Sequence, residues 1–374
     1  MPALFQPLSL RDLTIPNRVV VSPMCQYSAV QGSAQLWHSV HLGQLAIASA
    51  GLLVLEATAV EDIGRITPGC LGLYSDENEE SLARVLSGVR ELVPDNQLPI
   101  CIQLSHAGRK SSSHVPWETG AQIPIQEGGW QAVAPSAVAH GKNELAPRAL
   151  SIEDLEALTL RFKAAAERSD RLGIDAIELH AAHGYLLHQF LSPVANRRTD
   201  QYGGSLENRM RYPLELFSAM RATWPQHKPL GVRISACDWD SNSSWTIDES
   251  IVFCQSLAQL GCDWIDVSSG GVSTNQRIEL KPGYQVHFAK AIKSAVDVPV
   301  MAVGLITEPA QAEKIVAGGQ ADMIALARAL LYDPRWVWHA AAELGATVNA
   351  PEQYWRCAPG GVGRLFGNTP IGQR

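Results

Sequence analysis

Residues 298–328 read VPVMAVGLITEPAQAEKIVAGGQADMIALAR, and the order of residue types in this stretch decides the fold. A run of β-branched and small apolar residues, 298–304, ends in Gly304. A helical period over 309–317 opens on Pro309, where the missing N–H costs nothing because the first turn has no acceptor for it. A second apolar run, 323–328, follows. Two strands joined by a helix form a βαβ unit with parallel strands, buried on both faces.

The same unit recurs outward from there. Strands are predicted at 19–24, 52–60, 99–106, 176–182, 230–236, 264–269, 298–304 and 323–328. Helical periods at 38–49, 77–93, 152–172, 206–224, 247–260, 286–295, 309–317 and 334–344 alternate with them. Start signals include Ser151 before Glu153-Asp154, Thr246 before Asp248-Glu249, and Pro309 and Pro334 in first turns. Gly173, Gly261 and Gly345 stand where left-handed caps end helices. Eight units in strict order predict a (β/α)8 TIM barrel. An open doubly wound sheet would want a Gly-rich phosphate turn after its first strand, and Ser22-Pro23-Met24-Cys25-Gln26 has none. Residues 110–149, rich in Ser, Pro, Gly and Trp, read as an excursion over the active-site end after the third strand. The chain is expected to be one domain, 1–374, with barrel and interface segment in 1–356 and an extended or loose tail, 357–374.

Composition narrows the function. The 374 residues carry 30 Lys+Arg against 37 Asp+Glu, a formal charge of −7, with no basic run to bind nucleic acid or an anionic membrane. Charged residues make up 18%, below the roughly 25% of an average domain, which favours a large core. Seven cysteines without a CxxC pair support neither a disulfide scaffold nor a zinc ribbon nor an iron–sulfur cluster. No apolar run reaches the ~18 residues of a membrane span, so a cytoplasmic protein with reduced thiols is expected.

Reactive groups of such a barrel belong at the C-terminal ends of its strands. That filter selects Pro23-Met24-Cys25, Ala57-Thr58, Gln103, His180 with His183 and Tyr185, Arg233, Gly304 and Ala327-Arg328. In His180-Ala181-Ala182-His183-Gly184-Tyr185, two imidazoles can hold an oxyanion and a phenol can pass a proton, which suits chemistry beside a carbonyl. The alternatives are a satisfied core histidine with Tyr185 as a lid contact, or a metal site shared with His106, for which no carboxylate stands at ligand spacing. Arg233, flanked by apolar residues, needs an anion, either a ligand or a carboxylate on another strand. The ends of the seventh and eighth strands, with Arg328, occupy the usual phosphate position of barrels, unless Arg328 pairs with a helix carboxylate. Cys25 is a small buried hydrophobe or a reactive thiol, and Tyr27 with the aromatics of 117–130 is apolar wall or plain packing.

The residues also resemble a known family. Asn17-Arg18, Pro23-Met24-Cys25-Gln26-Tyr27, Glu56-Ala57-Thr58-Ala59-Val60, Gln103-Leu104-Ser105-His106-Ala107-Gly108-Arg109-Lys110, Glu178-Leu179-His180-Ala181-Ala182-His183-Gly184-Tyr185 and Tyr202-Gly203-Gly204-Ser205-Leu206-Glu207-Asn208-Arg209 are similar, in order and spacing, to the Old Yellow Enzymes. These are FMN-dependent ene-reductases, and the likeness, over residues 3–356, is to their thermophilic-like bacterial branch. The resemblance implies non-covalent FMN held by Ser22, Pro23, Met24, Cys25, Ala57, Gln103, Arg233, Gly304 and Arg328. It implies that His180 and His183 hold a substrate carbonyl, that Tyr185 delivers a proton, that Cys25 tunes the flavin and that Tyr27 touches substrate. NADPH, or NADH, would reduce the flavin and leave before an activated alkene binds in the same site. Gln353-Tyr354-Trp355-Arg356, on an expected extended segment, resembles the motif whose Arg reaches a neighbour's pocket, which implies a homodimer or a tetramer of dimers. Ala327, where a Gly is usual, and the long tail depart from the pattern. A hydrolase or lyase on the same barrel, or a flavin-binding protein without turnover, are the competing functions.

Overall fold

A computed structural model describes residues 1–93, 98–241, 244–362, 364–367 and 369. All eight expected strands are present: β3 (Val19–Val21), β4 (Leu52–Ala59), β5 (Ile100–Ser105), β8 (Ala176–Ala181), β9 (Leu230–Ser235), β10 (Ile265–Ser268), β11 (Val300–Val303) and β12 (Met323–Leu326). They close a parallel barrel in the order β3-β4-β5-β8-β9-β10-β11-β12, with β12 pairing back onto β3. Every residue of these strands is buried, as expected of a sheet covered by helices outside and side chains inside.

The helices begin and end where local chemistry dictates. Ser151 and Thr246 form capping boxes with Asp154 and Glu249 at the starts of α3 (Ile152–Arg171) and α6 (Ile247–Gln259). Pro309 opens α8 (Pro309–Ala317). Gly173, Gly261 and Gly345 take φ of +66°, +88° and +70°, the left-handed conformation that satisfies the last carbonyls. Pro334 differs from expectation: it precedes Arg335, the N-cap of α10 (Trp336–Leu344), because the chain is still turning there.

The core has two parts. The larger lies between barrel and helices; the smaller fills the lumen with Val20, Leu52, Val54, Cys101, Trp264, Met301 and Met323. The Trp264 indole lies over Gly231, where any Cβ would stand 2.0 Å from the ring. Below them the hairpin of β1 (Leu8–Leu10) and β2 (Leu13–Ile15) pushes Leu10 and Ile15 into the lumen and stoppers the N-terminal end. Arg11, in its turn, is fixed by Asp263 at 2.6 Å and by the carbonyl of Gln226 at 2.7 Å.

The excursion after β5 carries a two-residue parallel pair, β6 (Val133–Ala134) with β7 (Arg148–Ala149). Buried Arg109 ties it down through the carbonyls of Val138, Ala139 and Val272. The C-terminal segment is neither extended nor loose where described. Residues Glu352–Cys357 coil into a 3-10 turn, with Tyr354 against Trp338 and Arg335 over both rings. Beyond it, Val348 N–H donates to the Leu365 carbonyl, and Leu365 and Phe366 are buried, because an apolar pair gains more from Trp338 and the barrel wall than from water. The rest of the expected loose tail, 363, 368 and 370–374, lies outside the described residues. Among the described residues no helix is long and apolar enough to cross a membrane.

Candidate active site

Alternation along the strands puts every second side chain into the lumen. Continuing upward from Cys101, Ala176 and Trp264 in the apolar floor, it delivers Gln103 and Ser105, Glu178 and His180, and Asp266 and Ser268, with Arg233 and Ser235 beside them on β9. On β4 the register shifts between Leu55 and Ala57, so Ala57 comes level with Gln103. Glu56 is thereby turned out, to the Gln26 N–H at 3.1 Å and to His38.

The expected triplet assembles at the end of β8. His180 Nε2 and His183 Nδ1 are 3.4 Å apart, and the Tyr185 ring stands edge-on to His180 with centroids 5.0 Å apart. Each outer nitrogen has its own partner. Ala182 N–H donates to His180 Nδ1, so the proton of this imidazole belongs on Nε2. Ser268 Oγ is 2.6 Å from His183 Nε2, and both it and the neighbouring hydroxyl of Ser269 donate to Gln285 Oε1, at 3.4 and 2.5 Å. His180 Nε2 and His183 Nδ1 face one point, and with the His183 proton on Nδ1 both can donate to an oxygen placed there.

Burial, reinforced by Arg233, holds both imidazoles well below their ordinary value, so they are neutral donors. Burial pushes the Tyr185 phenol well above its ordinary value, so it keeps its proton. The turn that makes this possible is strained: His183 takes φ +58° and Gly184 φ +72°, and a Cβ on Gly184 would lie 2.1 Å from the Gly271 carbonyl.

Arg233 has found its anion within the barrel: Nε lies 3.0 Å from Asp266 Oδ2, so the carboxylate reading is realised. Gln103 Nε2 donates to Glu178 Oε1 at 2.8 Å. At the end of β11, Gly304 takes φ +121° with its carbonyl accepting from Gly283 N–H. Arg328 begins the short α9 (Arg328–Tyr332), is exposed, and makes no ion pair among the described residues. Ser22 N–H joins β12 through the Leu326 carbonyl, whereas its buried Oγ has no partner. Pro23 and Met24 follow, half-buried, and lead to Cys25, whose thiol meets that of Cys70; that contact and burial raise it, so it is a thiol. Tyr27, at φ +53°, packs its ring edge-on against Trp117 at 5.4 Å. Arg356 is exposed on the 3-10 turn.

His106 stays apart from the triplet, with Nε2 2.8 Å from Glu61 and Nδ1 accepting from Gly108 N–H. Among the described residues no cluster of His, Cys, Asp and Glu could hold a metal. Sequence reasoning passed over Lys110. Its ammonium donates to the carbonyls of His183 and Gly271 and lies 5.1 Å from the Tyr185 ring, pinning the strained turn; burial lowers it to about 8. Ser268, Ser235, Gln285, Glu178 and Asp266 were passed over too. For the two carboxylates the signal is a charge inside an apolar strand.

Residues 3–346 match the NADH:flavin oxidoreductase / NADH oxidase family. Among curated relatives, an NADH:flavin oxidoreductase of Gibberella zeae is 44% identical over 93% of this chain and 87% of its own. An NADPH dehydrogenase of a Geobacillus species is 42% identical over 94% of this chain and 98% of its own. Among solved structures, morphinone reductase superposes with a TM-score of 0.75 at 25% identity, over 99% of this chain and 94% of its own.

Proposed function

This chain belongs to the NADH:flavin oxidoreductase / NADH oxidase family, as an Old Yellow Enzyme, and from that premise we propose that it reduces the C=C bond of α,β-unsaturated carbonyl compounds such as enones, enals and maleimides. We propose FMN as its flavin and NADPH, or NADH, as its reductant.

The upper lumen fits such a group. Among the described residues Ser22 Oγ is buried without a hydrogen-bond partner and Arg328, beside the β12 end, makes no ion pair, and Gly304 leaves open a place where a Cβ would crowd Gln285 at 2.7 Å. Ser22, Pro23, Met24, Cys25, Ala57, Gln103, Arg233 and Gly304 would hold the ring system, and Arg328 with the strand-end amides the phosphate. Bound FMN supplies the hydride.

The observation that carries the reading is the pair of neutral imidazoles beside a protonated phenol. Donors from His180 and His183 draw electron density through a carbonyl oxygen, which makes the β-carbon electrophilic. Tyr185 holds the proton that the α-carbon then takes. Ala182 N–H keeps His180 in its donating tautomer, and His183 donates when its proton is on Nδ1 and its Nε2 accepts from Ser268. Tyr27 and Trp117 wall the entrance, and Cys25, as a neutral thiol, adjusts the flavin's surroundings without adding charge.

Arg356 belongs to a second part of the proposal, a homodimer or tetramer of dimers in which it reaches a neighbour's pocket. Its exposure on a turn braced by Trp338 and Arg335 supports this. The deciding experiment is spectral: the purified protein should be yellow, release FMN on denaturation, bleach under anaerobic NADPH and recover colour with an enone. Release of FAD or of no flavin, or bleaching without recovery, would sink it.

A further inference from the structure

Below the flavin face of the lumen lies a pair of carboxylates that the reaction itself does not use. Glu178 and Asp266 are wholly buried, on β8 and β10, either side of β9. Two buried carboxylates and one guanidinium are costly to desolvate, so each needs a reason to be kept.

Their partners supply the reason. Asp266 has Arg233 as its ion-pair partner, and neither of its oxygens makes a hydrogen bond among the described residues. The direct contact of Asp266 is with Arg233. Glu178 divides its oxygens between Gln103 Nε2 at 2.8 Å and the Trp264 indole N–H at 3.3 Å. An amide is ambiguous about which end faces up, and the Glu178 carboxyl beneath it, whose other oxygen already takes the Trp264 N–H, favours the NH2 end of Gln103. With the NH2 of Gln103 drawn down to Glu178, its carbonyl oxygen is the end left for a ligand.

We propose that Asp266 and Glu178 are positioning residues for the flavin, Asp266 fixing and partly neutralising Arg233 and Glu178 fixing the Gln103 amide with its oxygen upward. This rests on the proposed placement of FMN over Arg233 and Gln103. Burial raises both carboxyls, at Glu178 to about 8 with repulsion from Asp266 adding to it, while Arg233 draws both back down, so the pair resists holding two full charges and Arg233 faces a limited opposing charge.

The test uses the intact holoprotein and two readouts besides turnover, the flavin dissociation constant and the flavin midpoint potential, with circular dichroism as the check on folding. Asp266→Asn keeps shape and removes charge; with Arg233 less opposed, the potential should rise. Glu178→Met leaves the Gln103 amide unanchored, and flavin affinity should weaken about tenfold, as expected for a buried donor left without its acceptor. Glu178→Gln, which still offers an oxygen, should restore most of it.

A folded Asp266→Asn with the wild-type potential, or Glu178→Met within twofold of wild-type affinity, overturns the assignment of that residue. If Asp266→Asn does not fold, Arg233→Met is compared with Arg233→Met/Asp266→Leu, where an apolar pair replaces the ionic one. Equal affinities and potentials support action through Arg233 alone; unequal ones overturn it. Arg233→Met itself should weaken flavin binding, and if it does not, it is the FMN placement that fails.

Discussion

The two ends of the barrel are built from the same strands and obey opposite rules. The lower lumen is dry: Leu10 and Ile15 from the hairpin meet Val20, Leu52, Met301 and Met323, with Trp264 filling the centre. The upper lumen is polar, holds Ser22, Ser105 and Asp266 atoms without hydrogen-bond partners among the described residues, and is rimmed by left-handed backbone at Tyr27, His183 and Gly304. One end therefore supplies stability and the other spends some of it on chemistry, and the boundary runs through the layer of Gln103, Glu178, Arg233 and Asp266.

This contrast can be broken from above or below. The largest effect is expected at the top: changing His180 and His183 together to Ala should slow the flavin-to-alkene half-reaction by about 10²-fold or more for each donor lost, with flavin retained, by stopped-flow absorbance. A double variant at wild-type rate would remove the triplet from the reaction. At the bottom, Trp264→Ala should cost about 3–5 kcal/mol, read by denaturant unfolding, since the lumen is a closed ring that cannot collapse onto the space. A cost below about 1 kcal/mol would mean that the floor does not carry the stability assigned to it.

The smallest expected effect is none. His180 and His183 are held below the ordinary 6.5 and Tyr185 above the ordinary 10.0, so these three groups add no inflection to the alkene half-reaction between those values, and any step near 8 belongs to Lys110 or Glu178. Stability behaves differently. Unfolding releases imidazoles that take up protons below pH 6.5 while the folded ones do not, so the buried pair makes the protein lose stability as pH falls below that value. A rate profile with an inflection near 6.5 that persists in Lys110→Met would contradict the neutral pair.

The strands were legible because a parallel strand covered on both faces is an unbroken apolar run, and the strand-end rule then picked out His180, Arg233 and Gln103. The hairpin at Leu8–Ile15 was not recognised, although Leu8, Leu10, Leu13 and Ile15 alternate with Ser9 and Thr14 as a half-buried hairpin should. The shift at Glu56 was not legible, since a bulge depends on the neighbouring strand and leaves no local mark. Glu178 and Asp266 carried the same signal as Arg233, a charge inside an apolar strand, and are the counterpart that Arg233 required. Arg356 was placed on an extended segment, but local 3-10 bonding and the Tyr354–Trp338 contact coil it.

The seam where β12 meets β3 also bears on how the molecule comes into being. Val20 pairs with Ala325, and the backbone N–H groups of Ala3 and Leu4 donate to Glu313, 310 and 309 residues away. Until the last strand arrives, β3 has one apolar edge without a neighbour, and an unpaired edge can pair with another chain, although its three residues keep that edge short. Loop closure over such a span adds little to the equilibrium cost but slows the search. Closure is thus expected late in folding, which pulsed hydrogen exchange on Val19–Val21 would check.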